Sequence, residues 1–546
     1  MRHMAIVALT LVAASPSFAQ SPEWAAKVDE AAKPWAREKG PGGVVGVAVD
    51  GKVVYAKGFG LANLEHGVPL TPDSVLDVGS VSKQFTAMCV LLLEEDGKLK
   101  TTDPVTKFVP ELPTFGHTVT IDHLVHMTSG VRDYLTLWSL AGWNGVDERS
   151  DEDALASLSR QQGLNNAPGE RFVYSNSNYV LLATIVERVS GSSLASFASE
   201  RVFKPLGMDS TRFDTDSIVV KSRAQSYAPN GFGGWKPLVS ALSIVGDGGV
   251  LSTVGDLAKW HANLRDNKLG KGSPALAQKF TEGVTVGAGS PNYAFGLIVD
   301  ELDGIQRIGH NGNWLGFNAS TMFFPDRKVS IFALGNDGTN SCAQIAAAAA
   351  RAVLGRVEAS AETPPKEAQL GRPALERVAG TYELPDGRTL TIRLVGDGLQ
   401  LQVAGQPAFP LLAESATKFY VKAPTVRIDF TFEGPGKPVS GRLRQGPADI
   451  QLKPVEPFEA ADAELKAWAG VYSSPELEVP IEVQVQGKSL VFTAGEGDPL
   501  VVRPSSADKV SSPIGTATLF RDTAGKVRGF VLDAGRALGL RFTKAG

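Results

Sequence analysis

The amino-acid sequence predicts an α+β fold: an antiparallel sheet flanked by helices, a helical region inserted into it, and two small all-β barrels after it. Three observations carry that prediction. Strand-like hairpin patterns open and close the first 355 or so residues, with helical patterns between them. Composition then changes across a Pro-, Glu- and Ala-rich stretch, after which helical patterns almost vanish. Beyond it, Ala379-Gly380-Thr381-Tyr382 returns as Ala469-Gly470-Val471-Tyr472, a spacing that fits a small domain rather than a solenoid unit. At 546 residues the chain is also too long for one hydrophobic core.

Taken in order, Arg2 and His3 precede the apolar stretch Ala5 to Ala14, and Ser17-Phe18-Ala19 offers small residues at a cleavage position. Residues 1–19 therefore read as a secretory signal peptide, too short to span a membrane. No other stretch reaches the apolar length of a membrane span, so the mature protein is expected to be exported, periplasmic or secreted. Residues 20–357 form the first domain. Val44 to Asp50 and Val53 to Lys57 alternate around Asp50-Gly51, the signature of a hairpin. Helical spacing follows over Ser82 to Asp96, Ile121 to Met127, Ser177 to Val189, Ser193 to Arg201 and Val254 to Leu264. Strand patterns at Ile305 to Ile308, Ala319 to Phe324 and Val329 to Gly335 precede an Ala-rich helix, Ala343 to Leu354. Residues 358–373 read as a linker. Residues 374–457 and 458–546 then make the two β modules, joined at Pro454 to Pro457. Each alternates over paired strands, Leu390 to Leu394 with Leu399 to Val403, and Ile481 to Val485 with Leu490 to Thr493. Closure into barrels would leave no exposed edge.

The bulk numbers exclude several classes. The chain is 43% hydrophobic and 21% charged with a net charge of -4, so no basic face speaks for nucleic acid. Of two cysteines, Cys89 falls in an apolar helix and reads as a buried thiol. There is no disulfide framework, although a single Cys89–Cys342 bridge stays open. His123 and His126 read as structural, and no metal or organic cofactor is called for.

Chemistry enters at Ser80-Val81-Ser82-Lys83. Serine is a poor nucleophile until its proton is removed, and a lysine one helical turn along the same face can reach its hydroxyl. A helix start also provides a positive backbone field that favours a developing oxyanion. The spacing itself is cheap, since Ser415 with Lys418 and Ser506 with Lys509 share it. The pair needs a second proton carrier and an oxyanion hole. Tyr174-Ser175-Asn176 could supply the carrier in Tyr174, and a hydrogen-bonding amide in Asn176. Taken singly it could equally be a buried tyrosine and a helix cap. His310-Asn311-Gly312 follows a strand, where a glycine lets a substrate backbone approach. The amide of Asn313 could pair with that of Ser80 as the oxyanion hole, and His310 is a candidate catalytic group, although alone it could be a turn residue.

Together, Ser-x-x-Lys, Tyr-x-Asn and His-x-Gly in this order resemble the serine β-lactamase and penicillin-recognising hydrolases, whose third motif is often Lys-Thr-Gly. His123 to Gly130, Pro168-Gly169-Glu170, Pro205 to Met208 and Gly248 to Thr253 resemble landmarks of the class C-related, peptidase S12 branch. The resemblance implies acyl transfer without a cofactor. Ser80 attacks a carbonyl, Lys83 and Tyr174 share its proton, the Ser80 and Asn313 amides hold the oxyanion, and water cleaves the acyl-enzyme. His310 in place of lysine removes a fixed cation, which favours substrates without a carboxylate at that point. His-x-Gly followed by two barrels is similar to the D-aminopeptidase branch, in which a loop of the last barrel enters the active site. By that likeness the loop would lie at Glu496 to Gly515, with Asp508 binding a substrate ammonium and Asp498 as a second candidate. The expected function is thus an exported serine hydrolase of short amino-peptides or amides. The alternatives are an esterase or β-lactamase-like enzyme on the same scaffold, or a non-catalytic binder of envelope peptide or glycan.

Overall fold

The computed structural model describes residues 22–545 apart from 146, 216–217, 288–289, 356–366, 386–388, 404–407, 422–425, 446–447, 457 and 513. The signal-peptide reading of residues 1–19 lies outside the described residues, as does most of the expected linker. The last two linker positions instead open a helix, Arg372–Val378.

In the first region the chain runs through α1 (Pro22–Ala31), β1 (Gly43–Val49) and β2 (Lys52–Phe59), then α2 (Lys83–Glu95), α3 (Tyr134–Leu140) and α4 (Ser177–Ser190). It closes with β3 (Ile298–Leu302), β4 (Ile305–Trp314), β5 (Phe317–Phe324), β6 (Val329–Gly335) and α5 (Cys342–Leu354). The six strands form one antiparallel sheet in the order β3-β4-β5-β6-β1-β2. β1 therefore lies beside β6, from Gly43 opposite Gly335 to Val49 opposite Val329, and the helical region is inserted between the two halves. Asp50 (φ 52°) and Gly51 (φ 76°) make the tight β1–β2 turn, because two consecutive left-handed residues match the twist of paired strands.

Alternation along β1 assigns its side chains to two cores. Val45 and Val47 pack with Trp35, Ile331, Ala346 and Ala350 under α1 and α5. Val44 and Ala48 face Phe85, Leu91, Trp260 and the inserted helices. Cover on both faces explains why β1 and β6 read as almost unbroken apolar runs. α2 is buried on every side from Lys83 to Leu93, as a helix that is hydrophobic all round must be. It is preceded by a 3₁₀ turn, Gly79–Ser82, which carries Ser80. β4 continues past the expected Ile308 to Trp314, so His310-Asn311-Gly312 lies on the strand itself.

Beyond Arg372–Val378, eight strands from Gly380–Glu383 to Ala448–Val455 close a barrel. A second helix, Asp462–Trp468, precedes nine strands from Gly470–Ser473 to Ala537–Lys544. The two edges of that sheet, Leu500–Val502 and Pro504–Ser506, are adjacent in sequence, which leaves it nearly closed. The internal repeat has one geometry in both copies. Tyr382 donates to the Val378 carbonyl and Tyr472 to that of Trp468, each at 2.7 Å. The short helix before each copy spans seven residues, too few for periodicity to reveal.

The second β module docks on the first region. Leu137 and Leu140 of α3 belong to its core, with Phe530, Leu532 and Ala534. A buried ion pair, Arg132 Nη1 to Glu476 Oε2 at 2.9 Å, crosses the joint. Its hairpin Val527–Ala534 and Ala537–Lys544 turns through Gly535 and Arg536 at the edge of the inserted helical region.

Candidate active site

A cleft of about 670 Å³ lies between the end of β4, the N-terminal end of α2 and the inserted helices; Ser80, Tyr174, Asn176, His310 and Asn313 all line it. They arrive from three different elements, so the three sequence motifs meet only through the fold. The 3₁₀ turn presents Ser80, and the first residue of α2 is Lys83. Tyr174 and Asn176 sit on the loop that enters α4.

Lys83 is wholly buried and its ammonium meets three acceptors. Nζ lies 3.1 Å from Ser80 Oγ, 2.8 Å from Asn176 Oδ1 and 2.5 Å from the Asp247 carbonyl. A neutral amine would keep its two N–H groups on Asn176 and Asp247 and turn its lone pair to Ser80 Oγ, the arrangement a general base requires. Asn176 is held in turn by its backbone N–H, which donates to Asp133 Oδ2 at 2.7 Å. Tyr174 places its ring 5.0 Å from Lys83 Nζ, and among the described residues its buried hydroxyl has no hydrogen-bond partner. A buried hydroxyl without a partner asks for a ligand or a proton exchange.

Gly312 brings the third motif against the nucleophile. A Cβ built on it would lie 1.9 Å from the Val78 carbonyl oxygen and 2.9 Å from the Ser80 nitrogen. A Cβ on Gly79 would lie 2.6 Å from the Asn313 nitrogen. Only glycine at both positions lets the two backbones approach this closely. β3 pairs with β4 only up to Gly309, so the edge from His310 to Trp314 is open to a substrate strand.

His310 is buried, and both ring nitrogens are engaged. Nδ1 lies 2.5 Å from the Asn311 carbonyl, which can only accept, so the proton is on Nδ1. Nε2 then accepts from the Tyr293 hydroxyl at 3.1 Å. The Tyr293 carbonyl in turn meets His126 Nδ1 at 2.8 Å. Burial, with the nearby Lys83 charge, pushes the His310 pKa down to about 4, so the ring is neutral at pH 7. Expected as a catalytic group, His310 has the geometry of a neutral positioning residue.

Asp508 is a correction. It lies outside the cleft, in the exposed turn between Pro504–Ser506 and Lys509–Ser512, and binds Arg521 Nη2 at 2.5 Å. Asp498 lines a neighbouring cavity of about 800 Å³ between α3 and the second β module, which shares Leu135 and Arg536 with the cleft. At the start of the segment expected to enter the site, the Ala494 and Gly497 backbone lies against Gly142, at the end of α3. The terminal hairpin enters instead: Arg536 lines the catalytic cleft with its guanidinium 4.6 Å above the Tyr174 ring.

Sequence reasoning also missed Asp247 and Asp133. Asp247 lies in Gly246 to Gly249, and its carboxylate accepts from Tyr134 at 3.0 Å while its carbonyl holds Lys83. A glycine-rich run before the strand Val250–Ser252 was the available signal. On another wall, Asp77 and Asp214 line the cleft, and burial raises Asp77 to about 7. Cys89 and Cys342 are both buried free thiols, so no disulfide joins them. His123 helps cap its own helix through Thr120.

Comparison with known proteins agrees with this geometry. Residues 27–355 match the beta-lactamase family model, and residues 364–456 match a domain of unknown function, DUF3471. The chain is 30% identical over 413 residues to a penicillin-binding protein of Bacillus subtilis (strain 168), covering 71% of this chain and 90% of that one. It is 27% identical over 460 residues to a D-aminopeptidase of Gluconobacter oxydans (strain 621H), covering 83% of each. Among solved structures, the octameric penicillin-binding protein homologue from Pyrococcus abyssi aligns with TM-score 0.58 at 27% identity, over 79% of this chain and all of the other. With a matched model over more than half its length and the Ser80–Lys83 pair in the cleft, the chain belongs to the beta-lactamase family and is a serine hydrolase.

Proposed function

We propose that this protein removes the amino-terminal residue from short peptides or amides, a D-aminopeptidase-like activity, through an acyl-enzyme on Ser80. The observation that supports the mechanism is Lys83 Nζ at 3.1 Å from Ser80 Oγ, with its other two hydrogens matched by Asn176 and Asp247. Ser80 Oγ attacks the substrate carbonyl as its proton passes to Lys83. The backbone N–H groups of Ser80 and Asn313 receive the oxyanion. The unpartnered Tyr174 hydroxyl, beside Lys83, passes the proton on to the leaving amine, and water then releases the acyl group.

Substrate class follows from charge. Neutral His310 offers no fixed cation on β4. Asp77 lines the cleft beside the Arg223–Asp214 ion pair, and a substrate ammonium there would favour the charged form that burial disfavours on Asp77. The D-aminopeptidases among the relatives support the same class. Export to the periplasm or medium rests on the basic, apolar and small-residue pattern of residues 1–19.

The test is a panel of D- and L-aminoacyl p-nitroanilides with free and blocked amino termini. Free D-aminoacyl substrates should be cleaved fastest, and Ser80→Ala should abolish turnover with the fold intact. Preference for blocked substrates overturns the aminopeptidase reading, and full activity in Ser80→Ala overturns the mechanism.

A further inference from the structure

Among the described residues, four basic side chains bear on the catalytic cleft, and three are already committed. Lys83 is spent on Ser80, Asn176 and Asp247. His310 is neutral, with both nitrogens bonded. Arg223 Nη2 meets Asp214 Oδ2 at 2.5 Å. The fourth, Arg536, is exposed in the cleft, and among the described residues no carboxylate pairs with it.

Its position is built. Gly535 (φ 52°) opens the two-residue turn between Ala534 and Ala537, a place that requires left-handed backbone. The Arg536 carbonyl accepts from the Asp133 N–H at 3.2 Å and from Asn165 Nδ2 at 2.9 Å. The Leu538 N–H donates to Asn165 Oδ1 at 2.7 Å, and Arg132 Nε donates to the Leu538 carbonyl at 2.8 Å. The Asp133 carboxylate also accepts from the Asn176 N–H, so one residue ties the hairpin, through its backbone N–H, to the Tyr-x-Asn motif, through its side chain. The guanidinium carbon then lies 4.6 Å from the centroid of the Tyr174 ring, a cation–π contact that uses none of the group's N–H donors on a carboxylate.

We propose that Arg536 is a specificity-determining residue that binds a carboxylate carried by the leaving group of the substrate. The leaving side is assigned because Arg536 lies over Tyr174, the group that protonates the leaving atom in the mechanism above, and the inference rests on that mechanism. The substrates this favours are short peptides whose leaving residue ends in a free carboxylate, over simple amides and neutral esters. The second β module thus supplies the cation that β4 lacks. A bidentate guanidinium–carboxylate pair is the geometry arginine serves best.

The test compares aryl esters of one acyl group that differ only in leaving group, 3-hydroxybenzoate against 3-hydroxybenzamide. In the wild-type protein at low ionic strength, kcat/KM should favour the benzoate by about tenfold or more. Arg536→Met should bring that ratio to about one, while Arg536→Lys should retain part of it as a point charge. A ratio near one in the wild type, or an unchanged ratio in Arg536→Met, overturns the proposal. If Arg536→Met does not fold, the wild-type ratio must fall as salt is raised, and a salt-insensitive ratio overturns it equally. A parallel pair, a D-dipeptide and its carboxamide, separates the two readings. Cleavage of neither peptide refutes the amino-peptide substrate class, while the ester ratio still judges Arg536.

Discussion

Replacing Gly312 by alanine adds one methyl group at the point where β4 meets the nucleophile turn. That methyl would lie 1.9 Å from the Val78 carbonyl oxygen and 2.9 Å from the Ser80 nitrogen. Ordinary contact begins near 3.4 Å, so the two backbones must part by about 1.5 Å. Gly312 does not have positive φ, so the steric clash alone is under test. Neither neighbour is a flexible side chain that can swing away. The Ser80 and Asn313 amides would separate by a similar distance, and a misplacement of about 1 Å costs on the order of 100-fold in rate. Steady-state hydrolysis of a p-nitrophenyl ester, normalised by fluorophosphonate titration of Ser80, should show kcat down by about 100-fold or more. Stability should fall by only about 1–3 kcal/mol, as for other overpacked sites. Gly380→Ala, with nothing within 4 Å of its built Cβ, is the control. A Gly312→Ala enzyme within a few-fold of wild type would refute the close approach and the oxyanion hole built on it.

Two further predictions concern burial of charge. His261 is fully buried among Phe323 and Phe332, neither ring nitrogen has a partner among the described residues, and burial lowers its pKa to about 3. The unfolded chain takes up a proton near its ordinary value of 6.5 and the folded protein does not. This residue therefore costs stability as pH falls from about 6.5 towards 3. In urea titrations at pH 7 and pH 4.5, His261→Phe should lose less stability on acidification than wild type; an equal loss would show that the ring is not held neutral. Arg132 and Glu476 are both almost fully buried, and burial lowers the first and raises the second despite their contact. Arg132→Met leaves a buried carboxylate unpaired and should cost about 3–5 kcal/mol, whereas Arg132→Met with Glu476→Leu should recover most of that in the same measurement.

Much of the first region was legible because its signals are local. The Asp50-Gly51 turn, the apolar runs of β1 and β6, and the buried helix after Lys83 follow from backbone preference and cover on both faces. Ser80, Lys83, Tyr174, Asn176 and His310 stood out by their order along the chain, since each motif taken singly also had a plain structural reading. The resemblance led to Asp508, and that failed because which loop reaches a cleft depends on how one domain docks on another. Docking here follows from Leu137, Leu140 and the Arg132–Glu476 pair, none of which carries a local signature. Asp247 was hidden for a different reason: it holds Lys83 through a backbone carbonyl, which any residue could supply.

By itself the sequence determined the elements and the chemistry of the nucleophile, because hydrophobic period, turn residues and a serine one turn from a lysine act over a few residues. Tertiary structure alone decided what surrounds that nucleophile. It made His310 a neutral, fully bonded ring, because burial and the Lys83 charge outweigh its freedom to protonate. It also set Arg536 over Tyr174, because a hairpin of the second β module is pinned by Asp133 and Asn165, hundreds of residues away in the chain.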